Sequence, residues 1–153
     1  MSYDFPTTPA TVASVGNGAD LTEDTLQSFT IPSAQLRNMG DIIRVKAGGT
    51  MGATTDVKAA RVRLAGSNVA QVTSAVAGGT SWAIEVDVQK TASNAQILTG
   101  WGLAQSTVVT ALTAATVLTD TGTIALTVTG QNTTNSVAGS ITCRYLTVEY
   151  LPA

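Results

Sequence analysis

Apolar residues recur at every second position in stretch after stretch of this chain. That period admits little other than strands with one buried and one solvated face. In residues 41–47, Ile43, Val45 and Ala47 fall on one side and Arg44 and Lys46 on the other, and Gly48 and Gly49 are expected to close the strand. Residues 56–65 repeat the device, with Ala60, Val62 and Leu64 opposite Arg61 and Arg63, before Gly66 breaks the run. After a Gly78-Gly79 turn, Trp82, Ile84, Val86 and Val88 alternate with Ala83, Glu85, Asp87 and Gln89.

Weaker versions of the pattern fill most of the remaining chain. LQSFTIP reads as a first strand ended by Pro32, which has no N–H to give to a ladder. QLRNMGD is expected as a turn or a single helical turn, and further strands are expected near 68–75, 95–101, 108–118 with an interruption, 122–129 and 136–151. The linking segments TASN, DTG and GQNTTN carry turn residues. The best helical competitor, 104–115, is rich in Thr and Val, which lose rotamer freedom in a helix. About eight short strands with regular turn signals predict an all-β, jelly-roll-like antiparallel β-sandwich spanning 25–153. Residues 1–24, with Pro6, Pro9, Gly16 and Gly18 and no period, predict an extended N-terminal arm, either a disordered terminus or a strap that orders on a neighbouring subunit.

Composition narrows the function classes. At 153 residues the chain suits one domain, large enough to bury roughly 68–70% of its unfolded surface. Charged residues make up 12%, against about 25% in an average domain, and Thr, Ser, Asn and Gln fill the difference. With 8 Lys and Arg against 10 Asp and Glu, the net charge of −2 offers no excess of cations for a phosphate backbone, so no direct nucleic-acid partner is expected. The N-terminus MSYDFPTTPATVAS lacks the basic and apolar regions of a signal peptide, and no apolar run reaches membrane-spanning length. Synthesis in a cytosol and no membrane partner are the expectations.

The parts for common catalysis are missing. There is no histidine, which removes the usual general base, the Ser–His and Cys–His pairs and histidine-ligated zinc. Glu85 and Asp87 stand two apart on one strand face, where ordinary solvated acids are expected rather than a glycosidase pair. Asp20, Glu23 and Asp24 lack the glycine and spacing of a calcium loop. The GGT segments at Gly48 and Gly78 are followed by neither a Walker lysine nor a helix. Asn132-Thr133-Thr134 matches a glycosylation acceptor, which is idle without a secretory route. No enzyme activity, cofactor or metal is expected. Cys143, the one cysteine, is expected as a buried small hydrophobe on the face opposite Leu146 and Val148. Aromatic residues are 5%: Trp82 and Tyr150 are expected as core anchors, whereas Trp101, between Gly100 and Gly102, has room to be an exposed interface anchor.

What remains is surface. The outward residues of three strong strands carry Arg44 and Lys46, Arg61 and Arg63, and Glu85 and Asp87, while between Thr91 and Cys143 the only charge is Asp120. If the two stretches formed separate sheets, one outer face would be charged and the other neutral. The charged face is either a solvated cross-strand ladder, each pair giving about 0.2–1 kcal/mol, or a docking surface. With it, Tyr3, Phe5 and Pro6 of the arm and Trp101 complete the candidate interface.

The segment TLQSFTIPSAQLRNMGDIIRVKAGGTMGATTDVKAARVRLAG, followed by SWAIEVDV and the terminal RYLTVEYLPA, resembles small structural proteins of tailed phages. The shared features are a first strand ending in TIP, a linker to GD, a strand of the form IIRVKAGGT and a charged strand ending in RLAG. The resemblance implies a β-sandwich module that assembles as a homotrimer on the virion. It would be a decoration or cement protein on the capsid surface, bound across capsomers to the major capsid protein, or a head- or tail-fibre module engaged in host attachment. It carries over no individual functional residue.

Overall fold

The computed structural model describes residues 3–5, 13–14, 21–75, 79–104, 107–108, 111–112, 115–133 and 140–153. Pro6, Gly78 and the remainder of the arm lie outside these residues. In chain order the strands are β1 (Tyr3–Phe5), β2 (Ala13–Ser14), β3 (Asp24–Ile31), β4 (Ile42–Met51), β5 (Lys58–Leu64), β6 (Ser67–Ser74), β7 (Thr80–Ala92), β8 (Ala95–Ala104), β9 (Thr107–Val108), β10 (Ala111–Leu112), β11 (Ala115–Thr116), β12 (Ile124–Asn132) and β13 (Ile141–Leu151). They form two antiparallel sheets: a larger one ordered β1-β13-β4-β7-β8-β11, with β2 also on β13 and β9 also on β8, and a smaller one ordered β10-β6-β5-β12-β3.

The eight long strands make the expected antiparallel sandwich. Hairpins β5–β6 and β7–β8 stay within a sheet, and every other connection between long strands crosses from one sheet to the other. The period-two pattern positions the core. Ile43, Val45 and Ala47 of β4 and Trp82, Ile84, Val86 and Val88 of β7 face Val62 and Leu64 of β5 and Leu126 and Val128 of β12, all nearly inaccessible to water. Each large side chain buried this way contributes about 1.5–3 kcal/mol, set against the chain entropy lost on ordering.

Strand edges are closed by short strands of the same chain. Tyr3–Phe5 pair with Tyr150–Val148 and Ala13–Ser14 with Cys143–Thr142, so the described pieces of the arm lie along β13. The Thr- and Ala-rich segment after β8 divides its strands between the two sheets: β9 and β11 pair with β8, and β10 with β6. Edge strands only two or three residues long blunt the larger sheet as a template for edge-to-edge association, while β3 is an outer strand of the smaller sheet.

Three expectations are corrected. Gly48 and Gly49 do not end β4; they pair through its middle, Gly48 with Ala83 and Tyr145 and Gly49 with Trp82 and Cys143. Glycine is required there because a Cβ on Gly48 would meet the Tyr145 ring at 2.5–2.6 Å, and one on Gly49 would press into the Thr142 carbonyl. Cys143 lies in the same core as Leu146 and Val148, not opposite them, because a register shift between Cys143 and Tyr145 inserts one residue and reverses the parity of β13. Finally, the charged and neutral stretches are not the two sheets: β4, β7, β8 and β13 make the larger sheet and β3, β5, β6 and β12 the smaller, so each sheet draws on both.

Buried polar groups are matched locally. The Lys58 ammonium, buried between strands, donates to the carbonyls of Thr54 (2.7 Å) and Asp56 (2.9 Å) and anchors the loop before β5. Burial lowers its pKa, opposed by the nearby charge of Asp56.

Candidate functional site

The bulge in β13 brings unlike chemistries together on the outer face of the larger sheet. By inserting a residue it turns both Arg144 and Tyr145 outward, next to each other, whereas strict alternation would have exposed one of the two. Tyr145 stands opposite Gly48 and, with no Cβ beneath it, lies across the strand. The ring is 43% exposed. Burial of the hydroxyl first, with the neighbouring Cys143 and Glu85 adding to it, raises its pKa, so it stays protonated and can both donate and accept.

Around this ring the outer face of the larger sheet forms a groove of about 340 Å³, lined by Gly49, Thr50, Ser81, Trp82, Ala83, Leu103, Arg144 and Tyr145. Ala83 of β7 and Gly49 of β4 contribute small residues to it, and next to Ala83 the Tyr145 ring lies over Gly48. Along one wall the hydroxyls of Thr50 and Thr142 share a hydrogen bond of 2.7 Å across β4 and β13. Two residues along β8 from Leu103, on the same face and about 7 Å away, Trp101 is 43% exposed opposite Glu85. The expectation that Trp101 would be exposed is met; Trp82, by contrast, is in the core, with its indole N–H donating to the Thr142 carbonyl at 3.1 Å.

Beside the groove runs a charge ladder. Arg44 donates two parallel hydrogen bonds of 2.7 Å to the Asp87 carboxylate directly opposite, and its Nε also lies 3.7 Å from Glu85. The Asp87 hydrogen bonds hold the Arg44 pKa above its ordinary value. Lys46, although in register with Glu85, pairs diagonally with Glu149 at 3.5 Å. Exposed pairs of this kind contribute about 0–1 kcal/mol each, so the ladder adds charge and position rather than much stability.

The other predicted residues are placed elsewhere. Arg61 and Arg63 are on the outer face of the smaller sheet, across the sandwich from Arg44 and Lys46, so the six charged residues do not make one surface. Glu23 clamps both: Arg63 donates to its carboxylate at 2.6 and 2.7 Å, Arg61 lies 3.2 Å away, and the Thr129 hydroxyl also donates to it. These bonds, with Arg63 first, lower the Glu23 pKa against its burial. The acidic segment around Glu23 thus serves as a counterion. Tyr3 and Phe5 belong to β1 at the β13 edge.

Tyr145 and Arg144 are the site residues that sequence reasoning missed. The signal was present in ITCRYLTVEY, where apolar parity switches between Cys143 and Leu146, the mark of an inserted residue. As for reactivity, burial pushes the Cys143 thiol up to about 11, which leaves it protonated and a poor nucleophile. Among the described residues, no three His, Cys, Asp or Glu side chains are placed to hold a metal, and no helix is long and apolar enough to cross a membrane. The groove presents a ring, hydroxyls and a guanidinium, with paired charges beside it.

No known protein family and no curated protein matches the chain. A solved structure to which it is similar is the CBM2 module of the evolved Dit of Lactobacillus casei BL23 phage J-1, with 14% identity over 98% of this chain and 94% of that chain and a TM-score of 0.45.

Proposed function

We propose that the protein is a structural protein of a tailed-phage virion: a decoration protein that sits on the capsid surface as a homotrimer, contacts the major capsid protein and stabilises the head. The sequence resemblance over 25–66 suggests the class. The observation that carries the reading is that both edges of the larger sheet are covered by short strands of the same chain, β1 and β2 on β13, and β9 and β11 on β8. A module closed in this way offers faces for contact and does not polymerise through that sheet, which suits many copies placed side by side on a symmetric lattice.

Binding the assembled shell and not its separated parts favours the closed head by mass action, about 2.7 kcal/mol per site at a free concentration one hundred times Kd. Purified protein added to heads lacking it should saturate in multiples of three copies per site and raise the temperature at which the heads release DNA. Absence from heads, with attachment to tails or host cells instead, would replace this reading with a host-attachment module of the tail. The aromatic groove favours that second reading.

A further inference from the structure

We propose that the groove on the outer face of the larger sheet is a saccharide site that takes a hexopyranose unit of a surface glycan, with Tyr145 and Trp101 as stacking faces and Arg144 and Glu85 at the polar rim. The inference goes beyond the virion assignment and does not rest on it, since it concerns the isolated protein wherever the module sits.

The argument starts from what a ligand could use at this place. The floor lies in mid-sheet, where the backbone groups of β4, β7, β8 and β13 are taken up by ladders. A peptide adding as a strand finds no edge, and recognition falls to side chains. In the groove those side chains are the half-exposed Tyr145, the Thr50 and Ser81 hydroxyls and the Arg144 guanidinium, and next to it on the same face stand the half-exposed Trp101 and the Glu85 carboxylate. Arg144 is exposed in the groove beside Tyr145, and no ion pair to it is found among the described residues, while Glu85 stands opposite Trp101 with Arg44 3.7 Å away. A pyranose ring matches the set: its C–H face stacks on an aromatic ring, and its rim of hydroxyls donates to a carboxylate and accepts from a guanidinium. Nucleic-acid bases would also stack, but Glu85, Asp87 and Glu149 balance Arg44, Lys46 and Arg144 on this face, which leaves no excess of positive charge to hold a phosphate backbone. The groove of about 340 Å³ is at the small end of ligand sites, which run from roughly 300 to 1,000 Å³.

The bulge and the glycine exist for one geometry. Without the extra residue in β13, Arg144 and Tyr145 would not share a face; with any side chain at position 48, the ring could not lie flat. A merely structural tyrosine does not need that bed.

The test uses the intact chain and four probes, the linear tetrasaccharides of N-acetylglucosamine, glucose, galactose and rhamnose, at millimolar concentration. A saturable change in tryptophan emission would report binding, and its loss in Trp101→Ala would assign it to Trp101 and not to Trp82, which also lines the groove. At least one probe should give such a change. Calorimetry should then show affinity falling at least about tenfold in Trp101→Ala and in Tyr145→Ala, and clearly in Arg144→Ala, all exposed positions at which folding can be checked by circular dichroism. Gly48→Ala, which keeps every ligand-facing side chain but tilts the ring, should also weaken binding. The proposal is overturned if none of the four probes binds saturably, or if Trp101→Ala and Tyr145→Ala bind as the parent does. Attachment to heads is read separately and fails or succeeds on its own.

Discussion

Replacing Asp41 with alanine is expected to cost roughly 3–5 kcal/mol of folding stability, the loss typical of removing one partner from a buried, hydrogen-bonded charge. Asp41 is fully inaccessible at the start of β4. One carboxylate oxygen accepts from the backbone N–H groups of Arg37 (2.9 Å) and Asn38 (2.7 Å), closing the turn that leads into the strand. The other accepts from the Ala153 N–H at 3.1 Å, and the Tyr150 hydroxyl donates to the same group, tying down the end of β13. Alanine would orphan all four donors. Asp41→Asn keeps the shape and one acceptor and should lose less. Burial pushes the Asp41 pKa up, but the N–H groups of Asn38, Ala153 and Arg37 and the Tyr150 hydroxyl outweigh it, and the net shift is downward. A carboxylate with a lowered folded pKa stabilises fully above its ordinary value and loses that contribution as pH falls through the folded one. Asp120, whose carboxylate accepts from the Asn94 N–H first and from Lys90 and Gln96 besides, shifts the same way, as does Glu23. Urea unfolding should therefore show constant stability from neutral pH down to the ordinary carboxylate values of 3.8 and 4.5 and a decline below them, shallower in Asp41→Asn. A parent protein whose stability already falls between pH 7 and 5, or an Asp41→Ala variant within about 1 kcal/mol of the parent, would refute this account.

Period-two alternation made the strands legible because it is a local property: Ile43, Val45 and Ala47 must share a face wherever β4 lies. It does not say which sheet a strand joins, so the charged and neutral stretches were legible as stretches and not as surfaces. Arg61 and Arg63 ended up across the sandwich from Arg44 because β5 and β4 are in different sheets. Where parity fails, a bulge or a side-chain bond overrides hydropathy. Gln96 is buried while its neighbour Ile97 is 41% exposed, because the Gln96 amide donates to the Leu118 carbonyl (3.2 Å) and accepts from the Leu118 N–H (2.8 Å), taking the place of a strand partner. The consecutive buried Val69 and Ala70 reflect the register shift opposite Val62 and Arg63. The candidate site was half legible for the same reason. Trp101 followed from alternation, whereas Tyr145 and Arg144 depend on one inserted residue in β13 and on a glycine of β4, its neighbour in the sheet but far away in sequence.

Gly49→Ala should be the most damaging of the small substitutions, at about 3 kcal/mol or more, at or above the top of the usual range for overpacking. A Cβ there would sit 2.8 Å from the Thr142 carbonyl carbon, 3.0 Å from the Cys143 Cα and nearer still to the Thr142 oxygen. All three are backbone atoms of the paired strand, so no rotamer change can relieve the contact, and β13 must move away from β4 at its bulge. The same oxygen accepts the Trp82 indole N–H, so the shift would disturb a core tryptophan as well as a ladder. Gly48→Ala is the natural control. The three atoms nearest its new Cβ all belong to the Tyr145 phenol, a half-exposed side chain that can swing toward solvent. Chemical denaturation should then order the variants with Gly49→Ala far less stable than Gly48→Ala, and near-UV circular dichroism should show the Trp82 environment changed in the first and kept in the second. Saccharide binding should respond to Gly48→Ala even where the fold does not, because that substitution changes how the ring lies and little else. Equal stability losses at the two positions would mean that β13 is not held against β4 by the bulge, and the argument for a groove shaped by it would fall with that result.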